Sequence, residues 1–473
     1  MKEYAVIGSG IGGASIAAYL DAQGFDTVLF EKEPYLGGCA STFSHQGYRY
    51  NSGATTLAGY EEGHSVKAMF DTLGLKPKLI ESNPGMLTIQ NGVVLERHKD
   101  LERFLTSLDN AYPHPKNREF WTLVRDITEA FYTVEGYYYS NRSTVSKLRS
   151  LCSYLPILFK FKRYLIQNGE DFIKDFFGEI SETYLNFLQA QLFIVAQARL
   201  KEVNFFTAAI SLGYTFNTTH YVVGGMESLF ELLSAKMKDV RRSQKVLKIE
   251  KCEGFYKVHT KEEIVEAKNI ILNATIYDSA KYFDDPKITS YYRQYEKLNN
   301  YQSSFMVYMS IKSDKIFHHH YQIIDTENYP MSLSNAVFVS FSDASDTTIA
   351  PQGHYSITAS IHTDLRWWQD KSRYIRNKTQ LQELMIKKIC DTLKIEETEI
   401  VHRFSATPRT FDRFINRSQL GGNAITMKNF LPKLPGNDTA FKGIYHVGDS
   451  VYPAQGWPGV MMGVHNLRKL LHV

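Results

Sequence analysis

Three features of the sequence predict an α/β protein made of two interleaved domains, one on a parallel sheet and one of mixed α+β character carrying a helical cap. The first 60 residues alternate short apolar runs with Gly-rich turns around one Ala-rich helical stretch, the pattern of a βαβ unit. From about 98 to 217, apolar residues recur every three or four positions, as in Phe176, Phe177, Ile180, Tyr184, Leu185, Leu188 and Leu192. Between about 300 and 365, the runs 304–311, 336–341 and 355–361 read as strands of a second sheet.

Taken in order, the chain opens on an expected strand: Glu3 is charged, and no apolar run of signal-peptide length follows Met1. A second strand is expected at 26–30. The helical stretch 98–217 is an insertion or cap. A turn at Gly224-Gly225 leads into a helix near 226–238 and strands at 245–249, 256–260 and 268–274, which return the chain to the first domain. After the second-sheet strands comes a helix near 376–393. The end closes with a strand at 444–447, a Gly/Pro-rich loop and a helix at 459–471. The expected division is therefore 1–97, 218–275 and 405–473 for the first domain, and 98–217 with 276–404 for the second, substrate-binding one.

Composition removes several function classes. At 473 residues there is room for two or three domains. Lys plus Arg number 54 against 50 Asp plus Glu, a net +4, which is far from the clustered basicity of a nucleic-acid binder. Cys39, Cys152, Cys252 and Cys390 lie far apart with no CxxC, so a disulfide scaffold, a zinc site and dithiol redox chemistry are not expected. No run of about 18 apolar residues predicts a bilayer span. The expected location is the cytoplasm, with peripheral contact at the inner face of the membrane.

Gly8-Ser9-Gly10-Ile11-Gly12-Gly13 fits GxGxxG, with an apolar strand before it and Ala14, Ala17 and Ala18 in the helix after it. In that context Gly8 permits the tight turn, Gly10 lets backbone approach a pyrophosphate, and Gly13 allows close helix packing against the sheet. The helix N-terminus supplies free N–H groups and a positive dipole. Glu31, with Lys32 beside it, ends the second strand, where a carboxylate accepts hydrogen bonds from ribose hydroxyls and repels a 2′-phosphate. This is a Rossmann-like site for NAD or FAD.

Two further features favour FAD. Gly37-Gly38-Cys39 forms a second Gly-rich turn soon after Glu31, which lets backbone pass close to an extended ligand. Far along the chain, a strand ends in Gly448-Asp449, followed by a Gly/Pro loop and a helix. Asp449 can hold a hydroxyl of the ribityl chain. The helix start near Gly459 and Val460 can face the flavin pyrimidine, where reduction places negative charge.

With these residues assembled, the chain resembles the FAD-dependent carotenoid desaturase and isomerase family, the phytoene desaturase group of the amine-oxidase-like flavoproteins. The likeness lies in three blocks: Gly8 to Ala58, with LGGCASTF and YRYNSGAT; Tyr221 to Ala274, opening with YVVGGMESL; and Ala406 through GDSVYPAQGWPGV. The GGCASTF and GATTLAG strings look closest to carotenoid 3′,4′-desaturases and to the related isomerases and retinol saturases. The resemblance implies that Val246 meets the adenine through its backbone and that Ala54 and Thr55 lie near the isoalloxazine. It implies that the Gly224-Gly225 turn brings the chain back beside the cofactor. The sequence departs from the pattern at Asn51, where many relatives have aspartate, at Cys39, where many have arginine, and at Ala454, where the tail usually has glycine. Cys39 reads as a small buried thiol, so the FAD is expected to be non-covalent.

A polyene has no polar handle, so its enzyme needs a long apolar pocket while the flavin removes hydride. Phe131-Tyr132 and Tyr137-Tyr138-Tyr139 suit such a lining or an ordinary core. No catalytic acid or base is assigned. Phe317-His318-His319-His320-Tyr321 reads as an exposed loop rather than a metal site. His446 and His465 read as packed or solvated, with flavin tuning as the alternative. The segment 147–163 has an apolar centre flanked by Lys147, Arg149, Lys160, Lys162 and Arg163, and reads as a surface for anionic lipid or as a cap helix broken at Pro156. The expected activity is oxidation of an apolar carotenoid-like polyene, by desaturation, with isomerisation or saturation as variants. With no second GxGxxG, no dedicated NAD(P)H domain is expected, and the resemblance implies that electrons leave the flavin for a quinone or oxygen. A flavin amine oxidase, with Trp367, Trp368 and Tyr445 as its aromatic cage, and a catalytically silent FAD-binding membrane-associated protein are the other readings.

Overall fold

Short β-branched runs buried on both faces form the first sheet, as a parallel strand between two helical layers requires. The computed structural model describes residues 1–134, 143–429, 434–453 and 455–473. In it, Lys2–Ile7 sits between Thr27–Phe30 and Ile264–Leu272, all parallel, with Val240–Arg241 outside Thr27–Phe30. Ile444–His446 pairs in parallel with the C-terminal half of Ile264–Leu272. From the N-terminal half of that strand, Tyr256–His259 and Lys248–Lys251 continue as an antiparallel extension. Register aligns the strand ends: Ile7 stands opposite both Phe30 and Leu272, and Leu272 opposite His446. Gly8, Glu31, Asn273 and Val447 therefore leave the sheet on one rim, the carboxyl edge where open α/β sheets bind ligands.

Helices Ile11–Ala22, Glu227–Ser234 and Gly456–Leu471 cover one face of this sheet. The turn Ile276–Tyr282 and the helix Pro286–Arg293 cover the other. The second sheet runs in the order Ile400–Ala406, Gln302–Lys312, His354–Asp364, Ala336–Phe341, His320–Ile324, Met86–Gln90, Val93–Arg97. Its side chains alternate with the pleat. Phe305, Val307, Met309 and Ile311 pack on Leu381, Met385 and Ile389 of the helix Lys371–Leu393. Met306 and Tyr308 turn to the opposite side, toward Tyr48 and Tyr50, and the Tyr308 hydroxyl donates to the Ser52 carbonyl at 2.6 Å.

The cap contains Leu101–Ala111, Asn117–Tyr132, Thr144–Ile166, Gly169–Phe177, Glu182–Val195 and Phe205–Leu212, packed around Phe104, Phe120, Trp121, Phe187 and Phe205. Asp100, Ser143, Asn168, Ser181 and Asn204 each accept a backbone N–H at the start of one of these helices. Phe131 and Tyr132 pack against this core, whereas Tyr137-Tyr138-Tyr139 lie outside the described residues.

Four sequence expectations change. The division expected at 97 falls before residue 86, because Met86–Gln90 pairs with His320–Ile324 and with Val93–Arg97 in the second sheet. Residues 276–293, expected in the substrate domain, pack instead on the first sheet. Pro156 does not break its helix, which runs unbroken over Thr144–Ile166. Pro156 and Cys152, whose carbonyl the proline leaves free, are both exposed, so water can satisfy that carbonyl. Finally, 317–321 is not an exposed loop. His320–Ile324 pairs with Ala336–Phe341, and this draws His319 Nδ1 to the Phe341 carbonyl at 2.7 Å and His320 Nδ1 to Ser340 Oγ at 2.8 Å.

Burial holds several imidazoles neutral: it pushes His319 and His362 down to about 4, and His320 and His446 down to about 3. On acidification the unfolded chain takes up protons at these residues that the folded chain refuses. Their contribution to stability is complete above about pH 6.5 and shrinks as pH falls toward 4, by up to about 1.4 kcal/mol per histidine per pH unit. The thermal midpoint is expected to drop steeply between pH 6.5 and 4.5, and less steeply in His446→Gln. A scan that stays flat in the parent protein contradicts this.

Candidate functional site

Gly8 turns the chain out of the first strand with φ +95°, and a Cβ on Gly13 would fall 2.0 Å from the Gly8 carbonyl oxygen, so only hydrogen fits there. The helix Ile11–Ala22 starts at Gly10 with no side-chain cap, which leaves its first-turn N–H groups open to the rim. Glu31 Oε2 accepts the Ser9 N–H at 3.0 Å and the Ser9 hydroxyl, while Oε1 accepts the Glu33 N–H at 3.0 Å. The second Gly-rich turn docks on the first: the Gly37 N–H donates to the Ser9 carbonyl at 3.1 Å, and with φ +111° a Cβ there would strike the Phe230 ring at 2.9 Å. Gly448, also at φ +111°, brings its N–H to within 2.9 Å of where a Gly12 Cβ would lie. Asn273 is the wedge beneath these turns, with its amide within 3.0 Å of the Cβ positions of Gly10, Gly12 and Gly448.

Between the turns runs one cleft of two lobes that share Gly10, Cys39, Asn273, Ala274 and Arg417. Gly8, Ser9, Glu31, Lys32, Gly38 and Val246 line the first lobe. Ile11, Gly12, Gly37, Ala54, Gly448, Asp449 and Val460 line the second, whose floor is Ser304, Met306 and Ser360 of the second sheet. Three expected residues lie elsewhere. Gly13 is buried in the turn; Thr55 donates to or accepts from Ser340 Oγ at 2.7 Å in a small adjoining cavity; and Gly459 is buried one turn inside its helix. That helix starts at Gly456 rather than 459, again without a side-chain cap, so Gln455 and Gly456 present the helix start to the second lobe.

The chemistry of this donor set fits an extended dinucleotide. A carboxylate stands at one end, backbone N–H groups and glycine Cα atoms at the waist, and a second uncapped helix start at the far end. Asp449 is not a free acceptor: its Oδ2 accepts from Arg417 Nη2 at 2.9 Å. The Cys39 thiol is pushed up to about 11 by burial, against the pull of Arg417, so it is neutral and protonated. Asn51 accepts from Thr42 Oγ1 at 2.8 Å and from the Met226 N–H at 2.9 Å, and so ties the Gly224-Gly225 turn to the strand that leads into Ala54. A neutral amide oxygen suffices for that pair of bonds. Ala454 lies outside the described residues.

His446 is packed, its Nε2 within 2.8 Å of the Tyr292 hydroxyl, and neither it nor His465 lines the cleft. Trp368 is buried on the helix side of the second sheet, stacked on Phe305 at 5.1 Å, and neither it, Trp367 nor Tyr445 forms a cage at the second lobe. Sequence reasoning missed Asn273 and Arg417. Asn273 had a signal, as the residue directly after a strand that pairs with the GxGxxG strand. Arg417 had none.

The NAD(P)-binding Rossmann-like domain family matches residues 6–73. Among curated proteins, the chain is 24% identical to the chloroplastic prolycopene isomerase of Daucus carota, over 95% of this chain and 77% of that one. It is 22% identical to the 1-hydroxycarotenoid 3,4-desaturase of a Flavobacterium species, over 97% of this chain and 96% of that one. Among solved structures, an oxidoreductase from Methanosarcina mazei superposes with a TM-score of 0.66 at 18% identity, covering 99% of this chain and 100% of that one. Wild-type putrescine oxidase bound to putrescine gives 0.65 at 12% identity, covering 100% and 99%. Over about 95% of its length the chain is thus similar to prolycopene isomerases and carotenoid desaturases, and it shares its fold with solved oxidoreductases, putrescine oxidase among them.

Proposed function

We propose that this protein is an FAD-dependent enzyme that oxidises or isomerises an apolar polyene of the carotenoid type. The observation that carries the reading is the two-lobed cleft, with the Glu31 carboxylate at one end and Ala54, Met306, Phe411, Leu420 and Val460 around the other. Among the described residues the second lobe has no histidine, and its one carboxylate, Asp449, is already paired with Arg417. A bound flavin supplies the two-electron acceptor for breaking a C–H bond, or the electrons that let a double bond rotate. The chain's part is to hold that group non-covalently through its glycine turns, to orient the polyene against the apolar wall, and to keep water out. A quinone or oxygen serves as the final acceptor.

The test is anaerobic incubation of the yellow holoprotein with carotenoids in liposomes. Flavin bleaching together with a longer polyene chromophore supports desaturation. A change in geometric isomers with no net oxidation supports isomerisation. Reduction by NADH as fast as by any polyene, with no change in the polyenes, overturns the reading.

Among the described residues no helix is long and apolar enough to cross a membrane. The helix Thr144–Ile166 nevertheless carries Val145, Leu148, Leu151, Leu155, Phe159 and Ile166 exposed at 40 to 78%. At 100° per residue these fall within about a third of the helix circumference. The same helix holds Lys147, Arg149, Lys160, Lys162 and Arg163 and no acidic residue. An exposed apolar stripe on a helix whose only charges are basic supports docking on an anionic bilayer at the inner face of the membrane, where an apolar substrate resides. Replacing the five basic residues by Gln is expected to lower the fraction that floats with anionic liposomes several-fold; unchanged flotation counts against the docking surface.

A further inference from the structure

The departure at Cys39 leaves the second Gly-rich turn without the arginine that many relatives carry there. Arg417 lines the same two lobes as Cys39. It follows the helix Pro408–Ile415, which ends on Asn416 in the left-handed conformation at φ +55°, and its side chain lines both lobes of the cleft together with Gly10 and Cys39. The guanidinium is held from behind: Nε donates to the Gln419 carbonyl at 2.5 Å and Nη2 to Asp449 Oδ2 at 2.9 Å. Its side chain is 18% exposed. A guanidinium has five N–H donors, more than these two bonds use. The uncapped start of Ile11–Ala22 converges on the same waist through Gly10.

On the reading that FAD occupies this cleft, we propose that Arg417 is the diphosphate-binding cation of the site, delivered from the C-terminal part of the chain in place of an arginine at position 39, and oriented for that task by Asp449. The planar fork of a guanidinium matches phosphate oxygens, and a diphosphate bridging the two lobes passes the waist where Arg417 lies. The part of Asp449 is then to fix the arginine whose charge the phosphates need.

The test is titration of flavin-free protein with FAD, followed by flavin fluorescence, and with riboflavin as the probe that lacks phosphate. Arg417→Gln is expected to raise the FAD dissociation constant about 10- to 100-fold and to flatten its dependence on salt, while riboflavin affinity changes less than about two-fold. Cys39→Arg in the Arg417→Gln background is expected to recover most of the loss, because it returns the charge to the same waist. Circular dichroism of the flavin-free variants checks folding, and Arg417→Lys, which keeps the charge, is expected to lose less than Arg417→Gln and serves if the latter does not fold. An FAD affinity unchanged in Arg417→Gln, or FAD and riboflavin weakened equally, overturns the assignment. Parent protein that binds no FAD under any condition instead overturns the functional reading.

Discussion

Replacing Gly13 by alanine is expected to abolish flavin retention. The added methyl would lie 2.0 Å from the Gly8 carbonyl oxygen and 3.0 Å from the Asn273 Cβ. Both obstacles belong to the turn and strand end that shape the rim, so relief requires the helix Ile11–Ala22 to lift away from Lys2–Ile7. That displaces the open N–H groups at Gly10 and the Asn273 wedge together. Purified Gly13→Ala is expected to show less than a tenth of the parent's ratio of flavin to protein absorbance, and a thermal midpoint lower by several degrees. Gly24 provides the control: it has φ +90° and nothing within 4 Å of its Cβ, so alanine there costs only backbone strain of about 1–2 kcal/mol and should keep its flavin. A Gly13→Ala protein as yellow as the parent would remove the turn from the site.

The second large effect is expected at Glu31. Three donors converge on its carboxylate, two from Ser9 on Oε2 and one from the Glu33 N–H on Oε1. Glu31→Gln keeps the shape but replaces one acceptor oxygen with an NH2 group that faces a donor. It also removes the charge from hydrogen bonds worth about 1.5–3 kcal/mol each when charge-assisted. Because Ser9 also accepts the Gly37 N–H, the loosening spreads from the first glycine turn to the second. The FAD dissociation constant is expected to rise about 10- to 100-fold, with adenosine competing more weakly in the same proportion. If FAD and adenosine bind the variant and the parent alike, Glu31 is only a structural tie.

Much of the site could be read along the chain, because its parts are local. A tight turn with positive φ, a helix that must approach a strand closely, and a carboxylate at a strand end each need particular residues at fixed spacing, which Gly8, Gly13 and Glu31 show. The same holds for Gly448 and Asp449, which follow a short apolar strand. Boundaries were harder. Met86–Gln90 looks like a continuation of the N-terminal domain until its pairing with His320–Ile324 is known, and the histidines at 318–320 look exposed until Ala336–Phe341 lies beside them. A strand's partner depends on the free energy of burying one face against another, which short-range pattern does not encode.

Residue order alone was thus enough to specify a dinucleotide-binding turn, a second glycine turn, a remote strand ending in Gly-Asp and a helical insertion, since each rests on backbone conformation within a few residues. It took the folded chain to show that Asn273 is the wedge under the glycines, that Arg417 meets Asp449 and Cys39 at the waist of the cleft, and that the second lobe rests on Met306 and Ser360. Those contacts join residues far apart in the chain. Strand register in the first sheet brings four chain segments, those of Gly8, Glu31, Asn273 and Val447, out on one rim, and register is set by packing across the whole sheet rather than by neighbours in sequence.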